Sequence, residues 1–278
     1  MSLRAPPSSS PDLVRDEWLR LHAQGRRARD VAGELGVTEA ELVAAASTGP
    51  APGYEVTQLS TENPGELFAA LESLGIVKTQ TRTASVVLEV VGRYPSMRME
   101  PHLDRWASCY VVREGTRHVQ RTSLQFFDPW GASIQKVFLL RESDMGAFER
   151  LVDQRRIAPA WPIVGDAGSR PTPSVRFLNG TTPLPWLLRR LAGELAQVLV
   201  TVENLGVRHT HGITVRRTTA KNDWLGVVDR EAKVLVHRAT PAHLNAPAES
   251  GTLDLYIGAA RDAIWRGIPA TAAYWPEA

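Results

Sequence analysis

Hydrophobic residues recur along the chain at two different spacings, one typical of helices and one typical of strands. Leu67, Leu71 and Leu74 follow each other at intervals of four and three residues, which places them on one face of a helix. Gly75 comes directly after them and is a residue at which helices often end. The spacing therefore predicts a helix that begins near Pro64 and stops before residue 75.

Short helices are also predicted ahead of residue 49. Asp12 is a candidate cap for the first, and a second is expected over residues 27–34 with its end at Gly36. Thr38 and Glu41 have the spacing of a capping box, in which each side chain satisfies a backbone N–H group of the other residue. The sequence therefore predicts a helical block at the start of the chain.

After residue 75 the pattern changes to short stretches rich in Val, Ile, Phe and Thr, with turn residues between them. Strands are expected over residues 77–94, 106–113, 122–128, 134–140, 198–203, 207–216, 224–228, 234–238, 253–257 and 263–265. The sequence Asp128-Pro-Trp-Gly131 predicts the turn of a hairpin over residues 123–140. Ser143 is the expected cap of a helix that reaches Val152.

The order of these elements recurs in the second half of the chain. Residues 123–127 correspond to residues 252–256, and the helix-to-strand junction at residues 74–77 corresponds to that at residues 195–198. We therefore predict an α+β fold, a tandem repeat of two antiparallel-sheet units with flanking helices. The predicted divisions are a disordered leader at residues 1–12, a first repeat at 13–155, a Pro/Gly-rich linker at 156–183 and a second repeat at 184–278.

Composition excludes several classes of protein. Of the 278 residues 43% are hydrophobic, and 32 Lys and Arg against 30 Asp and Glu give a net charge of +2, which is not that of a polybasic coat protein or an acidic tail. Cys109 is the single cysteine, so neither an intramolecular disulfide nor a Cys-rich zinc site can form. No apolar run approaches the roughly 20 residues of a membrane span. We expect a cytoplasmic protein without membrane insertion.

Residues 26–46 also have the pattern of a DNA-binding helix-turn-helix. The helix that would read the bases, residues 39–46, carries two acidic residues and no basic residue. Acidic groups would be repelled by phosphate and have little to offer to most base edges. Nucleic acid is therefore not an expected partner.

A long stretch of the first half resembles the bacterial haem-utilisation family of hemin-degrading factors (HemS/ChuX-like). The resemblance is carried by Arg121-Thr-Ser-Leu-Gln-Phe-Phe-Asp-Pro-Trp-Gly-Ala-Ser-Ile-Gln-Lys-Val-Phe138 and Glu142-Ser-Asp-Met-Gly-Ala-Phe148. Residues 27–36, 70–75 and 104–108 extend it upstream, and residues 203–206, 223–225 and 252–256 are similar to the family's second repeat. The resemblance implies a cytoplasmic protein that binds haem, passes it on and in some members degrades it.

The family holds haem with a histidine and often an arginine opposite, and here those positions differ. The first-repeat histidine falls at Leu88, and the helix that carries the second-repeat histidine is replaced by the Pro/Gly linker. The family's arginine falls near Glu100, with Arg98 and His102 as shifted substitutes. A leucine has no lone pair to donate, so another nitrogen must replace it if haem is the cofactor.

Other imidazoles and guanidinium groups are candidates for that role. His209 and His211 are two residues apart on a predicted strand, so both point to one face, where they could hold haem iron or a small metal ion. His237 precedes Arg238, which could pair with a haem propionate, as could Arg98. Solvent-exposed polar strand positions would explain the same residues.

The sequence thus predicts haem binding and trafficking, with haem degradation open through the resemblance. The cofactor-binding candidates are Arg98, His102, His209, His211, His237 and Arg238, and no catalytic residue is assigned. One alternative is a non-haem structural or interaction protein of the same fold, including a homodimer formed through its sheet faces. Another is a small metal-binding protein that uses His209 and His211.

Overall fold

The computed structural model of the chain divides into two compact units, each made of two stretches of sequence. The first unit takes residues 1–78 and 102–171, and the second takes residues 79–101 and 172–278. The structure describes residues 10–49, 51–83, 85–94, 98–115, 120–166, 197–221, 223–237, 242–245, 252–257 and 263–269. The predicted boundaries at residues 155 and 184 stay a prediction.

The helices of the described residues lie in the first unit. In chain order they are α1 Pro11–Ala23, α2 Ala28–Leu35, α3 Glu39–Ala46, α4 Pro64–Glu72 and α5 Met145–Arg155. The capping box of α3 is confirmed, since Thr38 and Glu41 each accept a hydrogen bond from the backbone N–H of the other. Gly36 ends α2 with φ 66°, in the left-handed region that favours glycine. None of the described helices is both long and apolar enough to cross a bilayer.

Two predicted caps are wrong. The first helix begins at Pro11, inside the predicted leader, and its cap is Ser10 rather than Asp12, because the Ser10 hydroxyl accepts the Leu13 N–H. Asp144 caps α5 in place of Ser143. The Ser143 hydroxyl instead donates to the carbonyl of Ile76 and accepts from the N–H of Leu140.

The described strands are, in chain order, β1 Tyr54–Leu59, β2 Gly75–Arg82, β3 Val86–Arg93, β4 Met99–Pro101, β5 Ser108–Gly115, β6 Gln120–Phe127, β7 Ser133–Ser143, β8 Gln197–Glu203, β9 Val207–Thr214, β10 Arg217–Lys221, β11 Trp224–Val228, β12 Ala232–His237, β13 Ala242–Asn245, β14 Thr252–Ile257 and β15 Ala263–Pro269. Residues 77–94 were expected to form one strand and form parts of two. Thr83 ends the first of them, because its hydroxyl accepts the N–H groups of Ser85 and Val86 in a turn.

The helical block of the first unit packs on its sheet, in which the strand order is β1-β5-β6-β7-β2. Val14, Trp18 and Leu42 from the block form one buried cluster with Tyr110 and Phe127 from the sheet. In α3 every residue from 40 to 46 is buried. This helix is therefore part of the core and has no free face with which to read DNA.

The predicted hairpin turn is confirmed. It is held by hydrogen bonds within the turn and by one hydrogen bond to α3. The Asp128 carboxylate accepts the N–H groups of Trp130 and Ala132, each at 2.9 Å, which closes the turn between β6 and β7. Gly131 has φ 75°, and its carbonyl accepts the N–H of Ala40 in the first turn of α3. The turn therefore docks on the N-terminus of α3.

In the second unit, strand order is evidence of the duplication that the sequence predicts. The order β13-β14-β15-β8-β9 corresponds to the order β5-β6-β7-β2-β3 of the first half, and the fold is α+β as expected. β3 then pairs with β12 and β9 pairs with β4, both antiparallel. Each hairpin is thus extended by a strand from the other half of the chain.

The described part of the predicted linker, residues 156–166, runs along the first unit. The N–H of Ile157 donates to the carbonyl of Gln58, and the N–H of Gly165 donates to the carbonyl of Pro129. The remaining linker and the helix expected before the junction at residues 195–198 lie outside the described residues.

We predict that Gly131→Ala destabilises the protein by about 2–4 kcal/mol. The new methyl group would overlap the Thr38 side chain, and an alanine is strained at a positive φ. Urea unfolding measures the loss. The control is Gly33→Ala in α2, where an added Cβ meets nothing, and this change should stabilise by about 0.5–1 kcal/mol. Equal effects from the two changes would contradict the docking of the turn on α3.

Candidate functional site

His209 is a fully buried imidazole in the second unit. It lies in the middle of β9, with Val202 of β8 and Met99 of β4 as its neighbours across the sheet. Val207 and Ile213 share its side of the strand and are also buried, so the alternation of the sequence turns this face inward. Among the described residues, His209 is the only buried histidine.

The ring of His209 has one hydrogen bond. Its Nδ1 lies 3.0 Å from the Thr81 hydroxyl on β2, and its Nε2 is buried without a partner. Burial, with a smaller contribution from His211, lowers the pKa of His209 to about 3. The imidazole is therefore neutral at pH 7. If the Thr81 hydroxyl donates to Nδ1, the ring proton is on Nε2, and if the hydroxyl accepts, the proton is on Nδ1.

His211 lies two residues further along β9 and is half-buried. Burial lowers its pKa, while the nearby carboxylates of Glu231 and Asp229 act in the opposite direction. Within the described part of the chain, no third His, Cys, Asp or Glu joins His209 and His211 in a metal-sized cluster. The metal site of these two histidines stays a prediction.

Arg98 is brought next to this strand by a backbone contact. The N–H of Thr210 donates to the Arg98 carbonyl at 3.2 Å, one residue from each of the two histidines. Arg98 is exposed and has φ 43°, a left-handed conformation that is uncommon for a residue with a Cβ atom. The arginine that precedes β4 and the half-buried imidazole of β9 therefore lie on paired backbone segments of the same unit.

The other predicted residues lie elsewhere. His102 belongs to the first unit, where its carbonyl accepts the N–H of Arg105 at a short 3₁₀ turn. His237 is on β12 and its ring packs edge-to-face on Trp224, with centroids 5.4 Å apart. Arg238 lies outside the described residues. Among the described candidates of the second unit, Arg98, His209 and His211 therefore lie along one strand pair, and His237 lies on β12.

Leu88 and Glu100 stand at the two positions where the family has its haem-binding side chains, and both have other contacts in this structure. Leu88 is fully buried on β3 opposite Val234, in an apolar layer. Glu100 pairs with Arg208 across β4 and β9, and Arg208 forms ion pairs with Glu203 at 2.9 Å and with Glu100 at 3.7 Å. Neither Leu88 nor Glu100 can provide a neutral nitrogen to a metal.

Sequence reasoning missed Thr81 and Arg208 as members of this region. The alternation Val77-x-Thr79-x-Thr81 carried a signal, because two threonines in line with a buried valine predict hydroxyl groups that face a core. Arg208 had no such signal, because its partner Glu100 is 108 positions away in the sequence.

Two surface cavities lie in the first unit. One has a volume of about 420 Å³ beside α1 and α2 and is lined in part by Leu13, Val14 and Leu35. The other, of about 460 Å³, lies beside the start of α4 and the end of α5. Neither is lined by a histidine, so they are not sites for an imidazole-bound cofactor.

Comparison with known proteins finds a family model and named relatives that are similar to part of this chain. Residues 36–154 match the model of the family described as "Haemin-degrading HemS.ChuX domain". The hemin transport protein HmuS of Yersinia pestis is 37% identical over 145 residues, which are 47% of this chain and 40% of that protein. The hemin transport protein HemS of Yersinia enterocolitica is 34% identical over 158 residues, 51% of this chain and 44% of that one. The matched segment thus spans less than half of each curated relative.

The fold is shared along nearly the whole chain. The heme degrading enzyme ChuS of Escherichia coli superposes with a TM-score of 0.76 at 20% identity, covering 97% of this chain and 96% of that structure. The holo form of PhuS, a heme-binding protein from Pseudomonas aeruginosa, superposes with a TM-score of 0.74 at 20% identity, covering 94% and 95%. At this identity the likeness establishes the fold.

We predict that Thr81→Val destabilises the protein by about 1–3 kcal/mol, because it leaves both ring nitrogens of His209 buried without a partner. In a His209→Leu background the same change should have a smaller effect, giving a coupling energy of about 1 kcal/mol. Urea unfolding at pH 7 of the four proteins measures it. Thr218→Val at an exposed position of β10 is the control and should show no coupling with His209→Leu.

Proposed function

Since the chain is HemS/ChuX-like, with the matched domain at residues 36–154, we propose that it is a cytoplasmic haem carrier. It binds haem through a histidine nitrogen and passes it to another protein. The relatives that share this domain are named for hemin transport, and the structures that share the fold include a heme-binding protein, which supports the proposal.

The donor set of the second unit fits such a cofactor. Haem supplies an iron that accepts a neutral imidazole nitrogen and two propionates that accept cationic donors. His211 is half-buried, and burial keeps its imidazole neutral at pH 7. The carboxylates of Glu231 and Asp229 lie near enough to influence it, and a carboxylate that accepts the other ring N–H orients a ligating histidine.

The observation that carries the site is the backbone hydrogen bond from Thr210 to Arg98. It holds the backbone of an exposed arginine beside the strand that bears His211, one residue from that histidine, although the family's positions are lost. We therefore propose His211 as the haem ligand and Arg98 as a partner of a propionate. Arg238 is proposed as a second propionate partner.

The remaining imidazoles rank below His211 for physical reasons. His209 is sealed from solvent, so it reaches a ligand only if the strands part. His237 packs on Trp224, and His102 lies in the first unit, where it is the proposed donor if that unit binds haem. Carriage is proposed rather than degradation, because oxidative ring opening requires, in addition to an axial ligand, an open side opposite to it, whereas carriage requires only that haem is held.

A second candidate function is a non-haem interaction protein of the same fold. The buried contact of Leu88 with the β12 strand favours it, since an apolar side chain fills the position where the family has a ligand. Titration with hemin separates the two candidates.

We predict that the purified chain binds one equivalent of hemin with a shifted Soret band, and that His211→Ala removes the shift. Arg98→Ala should weaken binding about tenfold, the effect of losing one charge-assisted hydrogen bond of about 1.5 kcal/mol. His209→Leu is the matched control on the same strand and should retain the shift, because its ring is sealed.

The absence of a Soret shift in the wild-type chain would contradict haem binding itself. A Soret shift that is retained in His211→Ala but lost in His237→Ala or His102→Ala would support haem binding and would assign the iron ligand to that other histidine. A shift unchanged in the His102, His209 and His211 triple alanine variant would exclude all three as ligands.

A further inference from the structure

Two cationic side chains of the first unit converge on one aromatic ring. Nζ of Lys78 lies 4.5 Å from the centroid of the Phe138 ring, and Cζ of Arg121 lies 5.7 Å from the same centroid. Lys78 is on β2, Arg121 on β6 and Phe138 on β7, which lies between the other two strands in the sheet. The ring is buried, whereas the Arg121 side chain is 57% exposed, so the cluster is open to solvent on the side of the arginine.

The positive charges of this cluster exceed its negative charge. Nε of Arg121 donates to the Glu114 carboxylate of β5 at 2.6 Å, and the same carboxylate lies 3.3 Å from Nε2 of His22. Lys78 has no carboxylate of a described residue within ion-pair distance, and the Phe138 ring is its contact. Two like charges that share one ring repel each other, and Glu114 compensates only the arginine. The cluster therefore favours a further negative charge.

A buried hydroxyl adds a third donor on the same side of the sheet. Ser123 lies directly opposite Phe138 across β6 and β7 and is two residues from Arg121, so the alternation of β6 places both side chains on one face. Oγ of Ser123 accepts a hydrogen bond from Nε2 of Gln125 at 3.2 Å, which leaves its own proton to donate. An ammonium, a guanidinium and a hydroxyl thus surround the ring, and an oxyanion is the group that accepts from all three.

The fold itself does not require the two cations. In the alignment of the two halves of the chain, Leu199 stands at the position of Lys78. Ser250 stands at the position of Arg121. The second half has the corresponding strand order with neither charge, so packing of the duplicated hairpin does not explain why the first half carries both.

We propose that Lys78 and Arg121 form a binding site for an oxyanion, the phosphate or carboxylate group of a small ligand, with the Ser123 hydroxyl as a third donor. Each cation supplies a charge-assisted hydrogen bond, and the bound anion removes the repulsion between them. The buried ring of Phe138 packs against the apolar stems of both side chains and so orders their charged ends. The site lies in the first unit and does not depend on haem binding.

An NMR titration of the ¹⁵N-labelled full chain with inorganic phosphate, and separately with succinate, tests the site. The pH is held at 7 and sodium chloride keeps the ionic strength constant, because screening alone alters the signals of exposed charged residues. The backbone amide signals of Lys78, Arg121, Ser123 and Phe138 should move along a saturating curve, with half-saturation on the order of 1–10 mM. Those of residues 145–155 should not. Saturation with only one of the two anions identifies the group that the site selects.

Variants assign the binding to the two cations. Lys78→Met keeps an apolar stem on the ring but removes the charge, and it should raise the half-saturation concentration about tenfold, the effect of losing one charge-assisted hydrogen bond. Arg121→Gln should do the same from an exposed position and serves if the methionine variant misfolds. Arg150→Gln, which removes an exposed arginine of α5 in the same unit, and Lys233→Met of β12 are the controls and should leave the half-saturation concentration unchanged.

Three results would overturn the proposal. One is a set of signals that move linearly, without saturation, with both anions. Another is a half-saturation concentration that is the same in Lys78→Met and Arg121→Gln as in the wild type. The third is an effect of Arg150→Gln as large as that of Lys78→Met, because this would reflect the net charge of the chain rather than a site.

Discussion

The second unit depends on backbone pairing between strands that come from different halves of the chain. β3 is extended by β12, and β9 is extended by β4, in both cases by antiparallel hydrogen bonds. Without these partners, both strands would present a row of unpaired N–H and C=O groups. The same pairing fixes the candidate site, because Arg98 directly precedes β4 and is held by its backbone beside the strand of His209 and His211. The architecture therefore determines which residues can act together.

Local features of the fold were predictable because their causes are local. The capping box at Thr38 and Glu41, the end of α2 at Gly36 and the turn at Asp128 each depend on a few neighbouring residues. The break at Thr83 was missed because the valine-rich pattern continues on both sides of it, and the threonine hydroxyl that makes the turn gives no signal in hydropathy. Residue type alone predicts Ser143 as a cap. Its hydroxyl instead donates to the carbonyl of Ile76, which is distant in the sequence, and this contact cannot be predicted from neighbouring residues.

The candidate site was only partly predictable for a different reason. The spacing of His209 and His211 predicted that they share one side of a strand, and Val207 and Ile213 on the same side indicate that this side faces inward. β4 is three residues long, too short to be recognised, and its partner lies more than a hundred positions away. The position of Arg98 beside β9 follows from that pairing alone. Residue type predicted the candidates, and only the pairing of distant strands assembled them.

Because β3 pairs with β12 and β9 pairs with β4, neither half of the chain contains all the partners of its own strands. A polypeptide that stopped after the first duplicate would retain β3 but lose the segment that covers its edge, and a polypeptide that began with the second would leave β9 bare in the same way. Each fragment would expose an unpaired strand edge, and such an edge can pair with a strand of another chain and lead to aggregation. A change in either half that weakens β4 or β12 would therefore expose a strand edge in the other half.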